Sequence, residues 1–388
     1  MIQTKLFKEF FESEKSGGLT LMVCTVLSLI VANSAMGEGY HEFWQTNFNG
    51  HSLEHWVNDG LMTIFFLLIG LELEREIYDG ELSNIKDALL PIFGAIGGIA
   101  VPAGIFLLFN YGTATQAGAG IPMATDIAFA LGILALLGNR VPTSLKVFLT
   151  ALAVIDDLGA IIIIAIFYTK ALFWTNLFIA LGIFAALLVL NRLKVRNLIP
   201  YLVGGVAMWY FMLNSGVHAT ITGVLLAFAI PFGNGDEKST SYILQHFLHK
   251  PVAFIILPIF ALANTAIHFS GSLTEILSEN NSLGIALGLI VGKPLGIFFI
   301  SLLAVKAGLC KLPADMNWKS IFGVGLLAGI GFTMSIFITL LAYDSETIVN
   351  NSKLVILLSS LTAGMLGFTT LKFALKNKVA DDTGAQTN

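Results

Sequence analysis

The sequence predicts an all-α membrane protein of about twelve transmembrane helices. Three observations carry that prediction. Of 388 residues, 56% are hydrophobic and only 12% charged, about half the charged share of a soluble domain. Apolar runs long enough to cross a bilayer recur along the whole chain. The basic residues between those runs fall almost entirely on one side when the runs alternate in direction.

The runs lie near 14–33, 57–75, 88–110, 116–137, 144–168, 171–190, 197–213, 216–232, 251–269, 282–305, 318–343 and 353–375. Each is about 17–25 residues, the length a helix needs to span the hydrocarbon. The seventh and eighth are joined only by Leu213-Asn214-Ser215. With the N-terminus in the cytoplasm, the cytoplasmic side receives Lys5, Lys8, Lys15, Arg75, Lys86, Arg140, Lys146, Arg192, Lys194, Arg196, Lys238, Lys250, Lys306, Lys311, Lys319, Lys372, Lys376 and Lys378. Lys170 and Lys353 fall outside, and Lys293 is left within a span as the buried cation. That asymmetry predicts an even number of spans with both termini inside.

The flanks and the composition exclude several classes. The opening stretch, MIQTKLFKEFFESEKSGG, lacks a small-residue cleavage site and reads as a retained amphipathic surface helix. A net charge of −4 gives no basic face for nucleic acid. Cys24 and Cys310 lie in or beside apolar runs and form no disulfide framework. No cofactor is called for.

Two runs are poor continuous helices. The fourth, GAGIPMATDIAFALGILALLG, carries Pro122 with Thr125-Asp126 at mid-depth. The eleventh, GVGLLAGIGFTMSIFITLLAY, carries Gly329 and Gly331 before Thr333 at comparable depth. Backbone groups freed in hydrocarbon must be buried in protein or line a wet cavity, and paired interruptions in two halves mark a transporter's binding site. The third run (Pro91, Gly94, Gly97, Gly98, Pro102) and the tenth (Gly284, Gly288, Gly292, Pro294, Gly296) match in the same way. Residues 88–168 and 282–376 therefore read as two three-helix repeats forming a core bundle. Four spans separate them, so the second is inverted in the membrane.

Four ionisable residues remain near mid-bilayer: Asp126, Asp156, Asp157 and Lys293. Each costs about 2.5 kcal/mol or more on insertion scales, and such residues are functional by default. Consecutive positions on a helix point about 100° apart, so one of Asp156 and Asp157 can face Lys293 while the other faces a cavity. Carboxylates, a Thr hydroxyl and unwound-backbone carbonyls are the oxygen ligands a small hard cation takes in place of water. Desolvation and like-charge proximity bring carboxylate titration toward cellular pH. One site holding either a cation or protons is the minimal device for exchange. A bland alternative stays open for each: Asp126 as the cap of a helix break, and Asp156 with Lys293 as a structural ion pair.

At these residues the chain resembles the NhaA-type bacterial sodium/proton antiporters. The likeness lies in FFLLIGLELERE (65–76), ATDIAFALGILALLG (124–138), LAVIDDLGAIIIIAIFYT (152–169), SGVHATITGV (215–224), GKPLGI (292–297) and GIGFTMSIFI (329–338). These antiporters are among the proteins that define inverted repeats with broken helices. The resemblance implies an inner-membrane exchanger that exports Na⁺ (or Li⁺) for H⁺, electrogenic and active at alkaline pH, with helices four and eleven crossing where they unwind. It implies Asp157 as main cation ligand, with Na⁺ held at Asp157 and Asp156, and Asp156 paired with Lys293. Thr125 and Asp126 stand at the fourth-helix break.

A pH-sensing cluster maps by resemblance onto Glu72, Arg75, Glu76, His246 and His249, with Gln245 where the family pattern has Glu. His218 is implied as a tuning residue. Solvated helix ends for Glu72 and Glu76, and a helix-end hydrogen bond for His218, are the plain alternatives. The outer loop, HEFWQTNFNGHSLEHW within 34–56, carries Asn49-Gly50, a hairpin signal. By resemblance this hairpin makes a homodimer contact. His41, His51 and His55 there read as loop histidines.

Two other functional classes compete. A Na⁺-driven organic-anion symporter would share the fold. An intramembrane aspartyl enzyme would need two converging acids, such as Asp126 and Asp157, but has no use for Lys293. A prenyl-transfer site would need a third acid after Asp156-Asp157, where the chain has Leu158-Gly159-Ala160.

Overall fold

In the computed structural model the described residues are 5–169, 172–233, 235–267 and 272–384; Lys170, placed outside by the sequence, is not among them. The helices are α1 (Lys5–Ala32), α2 (Gly37–Gln45), α3 (Leu53–Tyr78), α4 (Ile85–Asn110), α5 (Ile127–Leu136), α6 (Thr143–Phe167), α7 (Trp174–Arg192), α8 (Ile199–Leu213) and α9 (Ile221–Ala229). They continue with α10 (Thr240–Asn264), α11 (Leu273–Ser278), α12 (Asn280–Lys306), α13 (Trp318–Ala328), α14 (Phe332–Ala342) and α15 (Glu346–Gly384). Among the described residues eight helices are long and apolar enough to span, and up to ten spans result if two bent pairs count as one each. The seventh and eighth expected runs are the short α8 and the nine-residue α9. All twelve runs are thus helical, but not all are full-length spans. This is a multi-pass, all-helical membrane protein.

The segment between α1 and α3 is more than a plain loop. After α1 the chain turns by 113° into α2, anchored by the buried Trp44. The hairpin follows as two-residue strands, β1 (Asn47–Phe48) and β2 (His51–Ser52). Its turn holds Asn49 at φ 52° and Gly50 at φ 89°, the left-handed pair a tight hairpin requires. The Trp56 indole N–H donates to the Phe48 carbonyl at 2.9 Å and ties the hairpin down. The His51 and His55 rings stack at 4.3 Å.

The chain divides into two compact units. One is built mainly from Thr20–Ser83 and Ile161–His268, the other from Asn84–Ala160 and Phe269–Asn388. In the second unit α4 and α12 pack backbone to backbone. A methyl added at Gly97 would fall on the Gly296 carbonyl, and one added at Gly296 on the Gly97 carbonyl. Small residues allow such close approach in membranes, where dispersion and not water exclusion drives association. The same unit holds both broken helices.

Candidate functional site

Between Pro122 and Ile127 the fourth span stops being a helix. A 3-10 segment, Gln116–Met123, ends in extended backbone at Ala124 (ψ 151°), and Asp126 then starts α5 as its N-cap. In the eleventh span α13 and α14 meet at a 46° bend across Gly329-Ile330-Gly331. Glycine is needed at this bend because a methyl at Gly329 would strike the Leu289 carbonyl. Pro122 is buried at the fourth-span break, where a methyl on Gly288 would meet its ring.

The two breaks lie against each other and satisfy each other. The Asp126 N–H donates to the Ile330 carbonyl at 2.7 Å. Thr125 Oγ1 donates to the Ala328 carbonyl at 3.0 Å, and Ser335 Oγ to the Ile121 carbonyl at 2.7 Å. Asp126 Oδ1 accepts from the Phe129 N–H at 3.0 Å, and Oδ2 accepts from the Thr333 N–H at 3.0 Å and its hydroxyl at 2.5 Å. One carboxylate therefore caps two half-helix N-termini, its own and the partner's. Each terminus carries roughly half a positive charge, so the pair balances the Asp126 charge. Asp126 thus joins the two breaks by hydrogen bonds to both half-helix N-termini.

Lys293 does the converse work. Its ammonium lies 2.7 Å from Asp156 Oδ2 and donates to the Met123 carbonyl at the end of the 3-10 segment. Both side chains are completely buried. Thr125 Oγ1 also donates to Asp156 Oδ2, at 2.7 Å. Asp156 Oδ1 has no hydrogen-bond partner among the described residues. Asp157 is fully buried one position along α6. Asp126, Asp156 and Asp157 are all buried, and Asp156 lies within ion-pair distance of the Lys293 ammonium. Among the described residues no group of three or more His, Cys, Asp or Glu side chains could hold a metal ion.

The first unit carries its own polar cluster. Glu72, Glu76 and His249 are buried, which overturns the solvated-end reading. Glu72 Oε1 lies 3.6 Å from His249 Nδ1, within electrostatic reach but beyond a hydrogen bond. Arg75 reaches Glu76 at 3.1 Å. Gln245, one turn before His249, is also buried. His246 is exposed and stacks on Tyr242, at the edge of the buried stripe of α10 that runs through Gln245 and His249. His218 Nε2 meets the Tyr168 carbonyl at 3.1 Å.

Some features escaped the sequence. A π-helical turn, Gly288–Gly292, immediately precedes Lys293. Such turns recur at functional sites, and this one re-aims every later side chain of α12; its only trace is the Gly-rich GLIVGKP. Lys293 is not the sole buried cation, since Lys353 is also buried near the start of α15. Glu74, between the two expected acids, is buried too. The Met123 carbonyl is a backbone group and leaves no mark in residue type.

Comparison with known proteins shows the family. The family model described as "Na+/H+ antiporter 1" matches residues 8–371. The chain is 74% identical over 98% of its length to "Na(+)/H(+) antiporter NhaA" of Flavobacterium psychrophilum, covering 99% of that protein. It is 65% identical over 96% of its length to "Na(+)/H(+) antiporter NhaA 1" of Flavobacterium johnsoniae, covering 98% of it. With "Na(+)/H(+) antiporter NhaA" of Vibrio cholerae it shares 49% identity over 97% of its length, covering 99%. A match running from residue 8 to residue 371, through both broken helices and every buried charge, places this chain in the Na⁺/H⁺ antiporter 1 family.

Proposed function

We propose that this protein exports Na⁺, or Li⁺, across a bacterial inner membrane in exchange for protons, as a secondary antiporter and not an enzyme. The observation that carries the reading is the Asp156–Lys293 pair beside Asp157 at the foot of two crossed, broken helices. Asp126 is balanced by half-helix termini and Asp156 by Lys293. The reading gives Asp157 the main contact with the cation, assisted by Asp156 and Thr125. Na⁺ and protons compete for these groups, so neither ion crosses unless exchanged. A cation that reaches Asp156 displaces the Lys293 ammonium from it, and the lysine, left without its counter-charge, gives up the proton that leaves. More than one proton per Na⁺ makes exchange electrogenic, worth about 2.3 kcal/mol per net charge per 100 mV.

Residues 88–168 and 282–376 act in this reading as the inverted repeats whose rocking exposes the site to alternate sides. The Glu72–His249 cluster, with Arg75, Glu76, His218 and His246, sets the response to alkaline pH. Both termini are cytoplasmic, supported by the one-sided basic residues. The chain forms a homodimer through the hairpin, where Phe43 and Phe48 are exposed. The test follows proton movement in everted membrane vesicles with a pH-sensitive dye at pH 6.5 and 8.5. A collapse of the proton gradient by Na⁺ or Li⁺ but not K⁺, stronger at pH 8.5, is the expected outcome; indifference to all three ions would overturn the reading.

A further inference from the structure

A groove on the second unit lies outside the ion site. It encloses about 750 Å³, within the roughly 300–1,000 Å³ in which small ligands are held. Phe298 and Phe299 on α12, Trp318 and Phe322 on α13, and Phe373 on α15 form its walls, with Lys319 at its rim. Phe298 is the centre of an edge-to-face cluster, 5.8 Å from Trp318 and 5.9 Å from Phe322. Phe299 and Phe373 are more than half exposed, so the groove opens outward.

Its depth and charge identify the occupant. All three walls are membrane-spanning helices. Trp318 and Lys319 are the first residues of α13, and Phe373 lies just before the end of the apolar stretch of α15 at Leu375. At 1.5 Å per residue, Phe322 sits about 6 Å deeper than Trp318. The aromatic floor is therefore at acyl-chain depth and the ammonium at headgroup height, the level tryptophans favour. Among the described residues no carboxylate pairs with Lys319. The nearest acid in sequence, Asp315, is held by Ser144 Oγ at 2.5 Å. Lys372, exposed beside Phe373, adds a second positive charge.

We propose that this groove binds one anionic phospholipid, its acyl chain along Phe298, Phe322 and Phe373 and its phosphate on Lys319. Aromatic grooves take chains of any lipid; the lysine selects the anionic headgroup, by about fivefold for a single surface cation.

The test uses the full chain in phosphatidylcholine vesicles doped with brominated phosphatidylglycerol or brominated phosphatidylcholine. Bromine quenches nearby indoles, and subtracting the Trp318→Phe signal isolates Trp318 from the other tryptophans. Half-maximal quenching of Trp318 at about fivefold lower mole fraction of the anionic lipid is expected. Lys319→Gln should merge the two curves and Lys319→Arg should keep them apart. Coincident curves in the unaltered protein mean ordinary boundary lipid and overturn the proposal. So does a preference that survives Lys319→Gln in protein that elutes as a single species.

Discussion

Asp156 Oδ2 receives the Lys293 ammonium at 2.7 Å and the Thr125 hydroxyl at 2.7 Å, with Lys293 also bound to the Met123 carbonyl. One ion pair thus joins α6 and α12 to the unwound end of the fourth span. Removing one partner of a buried pair leaves an uncompensated charge, at about 3–5 kcal/mol. Lys293→Ala is therefore expected to lower the thermal unfolding midpoint clearly. Adding Asp156→Asn removes the stranded charge and should recover part of the loss. Equal midpoints for Lys293→Ala and the unaltered protein would contradict the pair's structural role.

The double cap by Asp126 makes a second prediction. Thr333→Val deletes the hydroxyl bonded to Asp126 Oδ2 but keeps the side chain's shape. A hydrogen bond to a charged group contributes about 1.5–3 kcal/mol, and a loss of that size is expected in thermal unfolding. Thr333→Ser should retain most of it.

Packing between α4 and α12 is tested by two glycines on one helix. Gly97→Ala places a methyl on the Gly296 carbonyl and should destabilise by about 1–3 kcal/mol. Gly104→Ala meets nothing within 4 Å, so the gain in helix propensity, about 0.5–1 kcal/mol, should prevail. Thermal unfolding of the two variants should move in opposite directions.

Competition of Na⁺ and protons for one set of carboxylates has a signed pH dependence. A protonated carboxylate does not hold Na⁺, so apparent affinity falls as pH falls through the titration of the site. One competing proton raises the apparent KM about tenfold per pH unit and two raise it about a hundredfold. Initial rates across a Na⁺ series at several pH values give that slope. A KM independent of pH, with only the maximal rate changing, would rule out direct competition.

What could be read from residue order was whatever hydrocarbon makes costly. Pro122, Gly329 and Gly331 announced backbone breaks, and Lys293 announced a carboxylate partner, because unpaired polar groups are unstable at that depth; that the partner is Asp156 and not Asp157 came from the family resemblance. Asn49-Gly50 announced its turn through two left-handed residues. Burial depended instead on which helix packs where. Glu74 and Lys353 look like helix-end charges in sequence, and only tertiary packing covers them. His246 and His249 are three residues apart, yet the edge of the buried stripe on α10 falls between them. The second role of Asp126, capping α14 across the crossing, links residues 207 positions apart and has no local signature.

The most direct measurement is calorimetric titration of purified protein with Na⁺ at alkaline pH, in buffers of different ionisation enthalpy, to count protons released per Na⁺ bound. Release of more than one proton per Na⁺, with binding lost in Asp157→Asn, is the predicted result. Na⁺ binding that releases no proton, or that persists in Asp157→Asn, would contradict a shared carboxylate site.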